Sequence, residues 1–280
     1  MPRSPDKIIG RTSVRDALDS AVIALTAAGV ESPRLDAEVL LATAMGVDRA
    51  ALIADPGRKL EPDAARTFQT WAARRRDREP VAYITGRRGF RRLELAVDAR
   101  VLIPRPETEH LVEAALGLPH GARVVDVGTG SGAVALALAD ERPDLRITGT
   151  DASAEALDVA RANAERLGLE VELRHGDLLA GVIDADAVLS NPPYVEDGAE
   201  LAPEIVGFEP ALALRAGPDG LDVLRRLVPG VGATRATLAA FEVGAGQAAA
   251  VGALLREAGF AEVDIVHDLA GIERVVVGRR

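Results

Sequence analysis

The chain has 280 residues, 48% of them hydrophobic, and carries 43 acidic against 33 basic residues for a net charge of −10. That length buries one sizeable core or two unequal ones, and the acidic balance repels a phosphate backbone, so free duplex nucleic acid is a poor partner. There is no cysteine, which excludes disulfides, thiolate metal sites and a cysteine nucleophile and fits a reducing compartment.

No run of about 18 apolar residues is available to span a membrane. The opening MPRSPDKIIG has no apolar h-region, so no secretory leader is expected. The first 79 residues read as helical. SVRDALDSAVIALTAAGV spaces Val14, Leu18, Val22 and Leu25 three or four apart, with Gly29 to stop it. SPRLDAEVLLATAMGV follows, with Ser32 at the N-cap and Pro33 at the first helical position. EPDAARTFQTWAARRRDRE is a third amphipathic stretch, whose Phe68 and Trp71 read as core. A small helical bundle over 1–79 is the expectation. From 80 to 106, alternating Val81 and Tyr83, then Leu93, Leu95 and Val97, predict a β-hairpin linker bracketed by Pro80, Pro104 and Pro106.

From 107 to 280 strands and helices alternate. ARVVDVG, LRITGTD, EVELRHGD, DADAVLSN, ATLAAFEVG, AEVDIVHD and RVVVGRR read as strands, with helical patterns between most of them. This predicts an α/β domain with a seven-stranded, largely parallel sheet covered on both faces.

VVDVGTGSGAVALAL places Gly128, Thr129, Gly130, Ser131 and Gly132 between a strand and a helix. Glycines there permit a sharp turn and let a ligand lie against bare backbone at a helix N-terminus. Past the next strand comes Asp151, suited to ribose hydroxyls, and after the third strand Asp177, placed to accept from an exocyclic amine. Together they describe a pocket for an adenosine-like molecule. The spacing is GxGxG, not the dinucleotide GxGxxG, which favours S-adenosylmethionine over a nicotinamide. Asp126 at the head of the loop suits a cationic amino group on such a ligand. The four histidines, His110, His120, His175 and His267, share no ligand spacing, so no metal is expected.

DADAVLSNPPY ends the fourth strand on that same edge. Pro192 and Pro193 stiffen the turn and bring no N–H, so it offers carbonyl acceptors without competing donors. The Asn191 oxygen and the Pro192 carbonyl can grip the two donors of a planar NH2 group, on whose face Tyr194 packs. Such a grip aims the nitrogen lone pair and stabilises charge growing there.

These residues resemble the bacterial release-factor glutamine methyltransferases, the PrmC or HemK family. PRLDAEVLL, REPVAYITG, VLIPRPETEHLVE, VVDVGTGSGAVALALA, SNPPYV, FEPALAL and ERVVVGR carry the likeness along nearly the whole chain. The resemblance implies a Rossmann-like methyltransferase domain after the hairpin, with the helical bundle of 1–79 serving substrate recognition. It implies methyl transfer from S-adenosylmethionine, leaving S-adenosylhomocysteine, to the amide nitrogen of the glutamine in the GGQ loop of peptide chain release factors one and two. That would modulate translation termination in the cytoplasm, with no direct nucleic-acid or membrane partner. By position, Gly128 to Gly132, Asp151 and Asn191 would hold the donor, and Asp177 and Leu178 would border its adenine. Asn191, Pro192, Pro193 and Tyr194 would hold the glutamine, with Arg105 and Glu107 as pocket wall. Two positions depart from the family pattern: Gly89 stands where relatives carry glutamate before Phe90, and Leu178 where an aromatic is frequent.

The main alternative is a nucleic-acid amino-methyltransferase acting on adenine N6 or guanine N2, using the same grip on a flipped base. A nicotinamide oxidoreductase and a non-catalytic binder of S-adenosylmethionine are the others. The arginines between 74 and 92 read either as a patch for an acidic partner or as solvated charge. FEPALALRAGPDGLD reads as a pocket cover or an ordered loop, and Glu242 and Gly244 as residues that shape the sheet.

Overall fold

The computed structural model describes residues 12–182 and 184–280; the opening segment searched above for a leader lies outside them. The chain divides into two compact units, one of residues 1–86 with 202–208, the other of 87–201 with 209–280.

In the first unit, α1 (Val14–Ala27) starts at Ser13, whose hydroxyl accepts from the Asp16 N–H while Asp16 reaches back to the Ser13 N–H. This reciprocal box satisfies donors that a helix start otherwise leaves open. Next come α2 (Pro33–Met45), α3 (Arg49–Ala54), α4 (Pro62–Arg76) and α5 (Val81–Thr85). Ser32 does sit at the N-cap of α2, but its side chain makes no capping bond. Leu18, Leu25, Leu40, Leu41 and Phe68 form the core, with Trp71 packed at its margin. Residues 81–85 are a helical turn rather than the strand their alternation suggested. Pro80 fixes the entry, and Gly86, at φ 73°, ends the turn. Segment 202–208, which contains α9 (Pro203–Phe208), joins this unit through Glu204: Arg75 donates to it at 2.9 Å and Arg78 at 2.6 Å.

The second unit opens with the hairpin β1 (Arg87–Phe90) and β2 (Leu93–Ala96). A 3₁₀ turn (Pro106–Thr108) leads into α6 (Glu109–Ala115). Then β3 (Arg123–Val127), α7 (Ala133–Glu141), β4 (Arg146–Asp151), α8 (Ala154–Leu167), β5 (Glu172–His175) and β6 (Ala187–Ser190) follow. After α9, α10 (Asp222–Gly232), β7 (Leu238–Glu242), α11 (Ala248–Glu257), β8 (Glu262–His267) and β9 (Glu273–Arg279) complete the chain.

The sheet is seven-stranded in the order β5-β4-β3-β6-β7-β9-β8. β3 to β7 run parallel and β9 antiparallel to β7 and β8. The order reverses between β3 and β6, the switch point where open α/β sheets bind ligands. Burial follows this topology: every residue of β6 and of β7 is buried, as expected for central strands covered on both faces. Leu136, Leu138, Leu111 and Leu189 fill one layer, and Leu224, Phe241, Val251 and Phe260 the other.

Candidate active site

The parallel register assembles the site. Val127 lies beside Thr150 on one side and Ser190 on the other, and Ser190 lies beside Phe241. The residues one step further, Gly128, Asp151, Asn191 and Glu242, therefore emerge together at one edge of the sheet.

The glycine loop is held from below. The N–H groups of Gly128 and Thr129 both donate to the Thr150 carbonyl, at 2.8 and 2.9 Å. Gly128, Gly130 and Gly132 all have positive φ, at 72°, 57° and 84°, which only glycine adopts without cost. A Cβ on Gly128 or Gly130 would meet nothing within 4 Å, so both present bare backbone to open space. Gly132 faces inward, where a Cβ would come within 2.9 Å of Leu136. The Ser131 carbonyl accepts from Asn163 Nδ2 at 3.0 Å, and Asn163 also exchanges bonds with the N–H and carbonyl of Ala96 at 2.7 and 3.0 Å. This fully buried amide ties the hairpin to the loop.

Asp151 accepts from the Gly130 N–H at 2.9 Å through one carboxylate oxygen and from the Ser153 N–H at 2.8 Å through the other. Each oxygen keeps a lone-pair direction for a hydroxyl donor. Asp177 is exposed and paired with Arg226. Leu178 takes a left-handed backbone at φ 53°, packs its side chain against the core, and accepts from the Thr150 hydroxyl through its carbonyl. Asp126 supports the loop from its place on β3. It is 2% exposed, and one of its oxygens accepts from the Thr129 hydroxyl at 2.6 Å and the Ala135 N–H at 3.2 Å. It pins the loop to the start of α7, and burial pushes its carboxyl up to about 6.

At the end of β6, Asn191 donates through Nδ2 to the Thr108 hydroxyl at 3.1 Å. Thr108 in turn donates to Glu242 Oε2 at 2.6 Å, and the Tyr194 hydroxyl donates to Glu242 Oε1 at 3.3 Å. Glu242 and Thr108 are buried. Burial pushes the Glu242 carboxyl up to about 7, and burial with that carboxylate alongside pushes the Tyr194 phenol well above its ordinary range. Among the described residues, no protein group donates to Asn191 Oδ1 or to the Pro192 carbonyl, so neither acceptor is claimed from within the protein.

The chain beyond Tyr194 is an ordered strap. Val195 exchanges backbone bonds with Leu214 and Ala216, each at 2.9 Å, and the Asp197 N–H reaches the Gly217 carbonyl at 2.8 Å. Gln247 fastens the turn by donating to the Tyr194 carbonyl at 3.0 Å. Gly244 leaves room for the Tyr194 ring, which a Cβ there would approach to 3.3 Å. Glu209 of FEPALAL is buried and accepts from Arg105 and from the Ile103 N–H. Arg105 thus braces this segment, while Glu107 lies close enough to Glu242 and Arg274 to act on both electrostatically.

The arginines between 74 and 92 are committed internally. Arg74 pairs with Glu79, Arg75 with Asp36 and Glu204, Arg91 with Glu141 and Glu113, and Arg92 with Asp140. Arg88 donates to the Pro104 carbonyl. A free basic patch for a partner has little support in this stretch. Gly89 is exposed with open space around its Cβ direction, so the glutamate of the family pattern would fit without rearrangement.

Residues 16–86 match the PrmC N-terminal domain family, and residues 107–208 match the methyltransferase small domain family. The release factor glutamine methyltransferase of Koribacter versatilis is 42% identical over 96% of this chain and 99% of its own. That of Caulobacter vibrioides is 44% identical over 90% of this chain and 91% of its own. The chain belongs to the release factor glutamine methyltransferase family. A solved structure, the hMettl16 catalytic domain in complex with the MAT2A 3′UTR hairpin 6, covers 80% of this chain and 84% of that one with TM-score 0.54. At 18% identity it shares the fold alone. A methyltransferase of this family uses S-adenosylmethionine, and the loop fits it: open backbone over Gly128 and Gly130, with an acceptor-only acid beside it for hydroxyl donors. Among the described residues no cluster of metal-ligating side chains occurs, and no helix is long and apolar enough to cross a membrane.

Thr108, Asn163 and Gln247 were not legible as site residues, and Glu242 was read only as part of the sheet. A signal for Glu242 did exist. It is a carboxylate closing the wholly apolar run LAAF on the strand next to the Asn-Pro-Pro-Tyr turn, and a buried charge there must find donors.

Proposed function

We propose that this chain methylates the side-chain amide nitrogen, N5, of the glutamine in the GGQ loop of peptide chain release factors one and two, tuning translation termination in the cytoplasm. The observation that carries this reading is the acceptor pair, Asn191 Oδ1 and the Pro192 carbonyl, placed one strand away from the glycine loop.

S-adenosylmethionine, when bound, supplies an electrophilic methyl group and departs as S-adenosylhomocysteine. Gly128, Thr129, Gly130, Ser131 and Gly132 would lie along it and Asp151 would take its ribose hydroxyls, while Asp177 and Leu178 would border the adenine. Asn191 and Pro192 would each accept one N–H of the glutamine amide, and Pro193 would keep the turn stiff. An amide nitrogen is a weak nucleophile because its lone pair is delocalised into the carbonyl. Two fixed acceptors orient it and favour the positive charge that grows there, so position and electrostatics supply the rate. The surplus proton leaves from the nitrogen to solvent. Tyr194, with its hydroxyl held on Glu242, would present its ring to the face of the amide. Arg105 and Glu107 would wall the pocket.

The test is incubation of enzyme and methyl-labelled donor with release factor and with nucleic acid in parallel, read by mass spectrometry of the GGQ peptide. One methyl group on that glutamine is the expected result. Label on nucleic acid alone would overturn the reading in favour of a base amino-methyltransferase.

A further inference from the structure

Gripping an NH2 group with Asn191 requires its oxygen, and not its own NH2, to face the substrate. A side-chain amide has nearly the same shape either way round, so shape alone does not choose. The choice is made behind it. Thr108 Oγ1 is a single-proton donor, and it lies 2.6 Å from a carboxylate oxygen of Glu242, against 3.1 Å from Asn191 Nδ2. While Glu242 is ionised it can only accept. The Thr108 proton must then point at Glu242, and Thr108 can only accept from Asn191. Asn191 must therefore turn its nitrogen inward and its oxygen toward the open edge. Tyr194 has no freedom either, since its hydroxyl donates to the other Glu242 oxygen.

We infer that Glu242 and Thr108 are positioning residues that set the orientation of the Asn191 amide, and through it the specificity of this site for a substrate NH2 group. The inference rests on the methyl-acceptor reading above.

Protonation of Glu242 would release the constraint. A protonated carboxyl can donate to Thr108, whose own proton then turns toward Asn191 and favours the flipped amide with Nδ2 facing the substrate. Burial holds that carboxyl at about 7. The groups facing it are Thr108 and Glu107 on the 3₁₀ turn, Tyr194 on the strap, and Arg274 of β9, which is itself paired with Asp268 at 2.8 Å. The flipped state should fill as pH falls through about 7 and empty above it.

The experiment measures kcat on release factor from about pH 6 to 9 for wild type, T108V, T108S and E242Q, with donor affinity by calorimetry. Valine keeps the shape of threonine and removes the relay, so T108V should lose about tenfold or more in kcat at pH 8 with donor affinity unchanged. T108S keeps the hydroxyl and should stay within about threefold of wild type. The wild type should lose kcat as pH falls through about 7, and E242Q should lack that acid limb whatever its absolute rate. T108V within about threefold of wild type, or an acid limb that survives in E242Q, overturns the inference. If T108V fails to bind donor, the acid limb of E242Q decides. The parent reading has its own control: Asn191→Ala with wild-type turnover would sink that reading, whereas an inactive Asn191→Ala beside a fully active T108V sinks only the relay.

Discussion

Asp126→Asn isolates the energetics of the carboxyl beneath the glycine loop. Thr129 and Ala135 donate to the same Asp126 oxygen. An asparagine whose carbonyl oxygen takes that place keeps both bonds and carries no charge. Burial raises the Asp126 carboxyl from 3.8 to about 6, so the folded protein holds this proton more tightly than the unfolded chain. The associated stability is fully present below pH 3.8 and is lost as pH rises through about 6. At about 1.4 kcal/mol for each pKa unit, the complete loss is about 3 kcal/mol, of which about 1.4 kcal/mol falls between pH 5 and pH 8. The assay is urea denaturation of both proteins, without donor, at those two pH values. The stability of Asp126→Asn relative to wild type should improve by about 1.4 kcal/mol on going from pH 5 to pH 8. A difference between the two proteins that is the same at both pH values, or that moves the other way, would show that the ionised carboxylate is adequately solvated where it sits. Comparing the two proteins at each pH cancels the titration of every other group.

Three further substitutions probe the site and its supports. Asn191→Ala should lower kcat by about a hundredfold or more, because it deletes one of two acceptors that act on the reacting nitrogen; steady-state rates on release factor check it. Asn163→Ala strands the buried Ser131 carbonyl and the half-buried N–H and carbonyl of Ala96 and should cost about 2 kcal/mol in urea denaturation, with weaker donor binding because the glycine loop loses its anchor. Arg75→Ala, in the first unit, removes the partner held at 2.7 Å from Asp36 and leaves Glu204 to Arg78 alone, and should destabilise by about 3 kcal/mol; a loss below about 1 kcal/mol would mean that Asp36 finds water or another cation.

How far the sequence reached depends on whether the signal is periodic. Strands such as RVVDV and LAAFE bury every residue but one or all of them, and their length and apolar runs mark them without tertiary knowledge. Gly128, Gly130 and Gly132 were legible because a left-handed backbone admits little else. Residues 81–85 misled because VAYIT alternates in character but is too short for periodicity to decide between strand and turn of helix. Asp126 was legible as an acid at the end of a strand, but the bonds that Thr129 and Ala135 donate to one of its oxygens leave no trace in spacing. The arginines of 74–92 show the same limit, since their partners lie up to 129 positions away in sequence.

The Asn191 turn shows where the boundary falls within one site. The residue types alone describe an acceptor pair, because asparagine and a prolyl carbonyl are what a planar NH2 group needs. They do not say which end of the asparagine amide faces out, and for the other end the same two residues would present a donor beside an acceptor and repel the substrate they are meant to hold. That choice is made by Glu242, one step beyond the neighbouring strand's pairing with Ser190, through a threonine 83 positions away from Asn191. The charge that fixes the grip lies outside the motif, and only the parallel register of β6 and β7 brings it within reach.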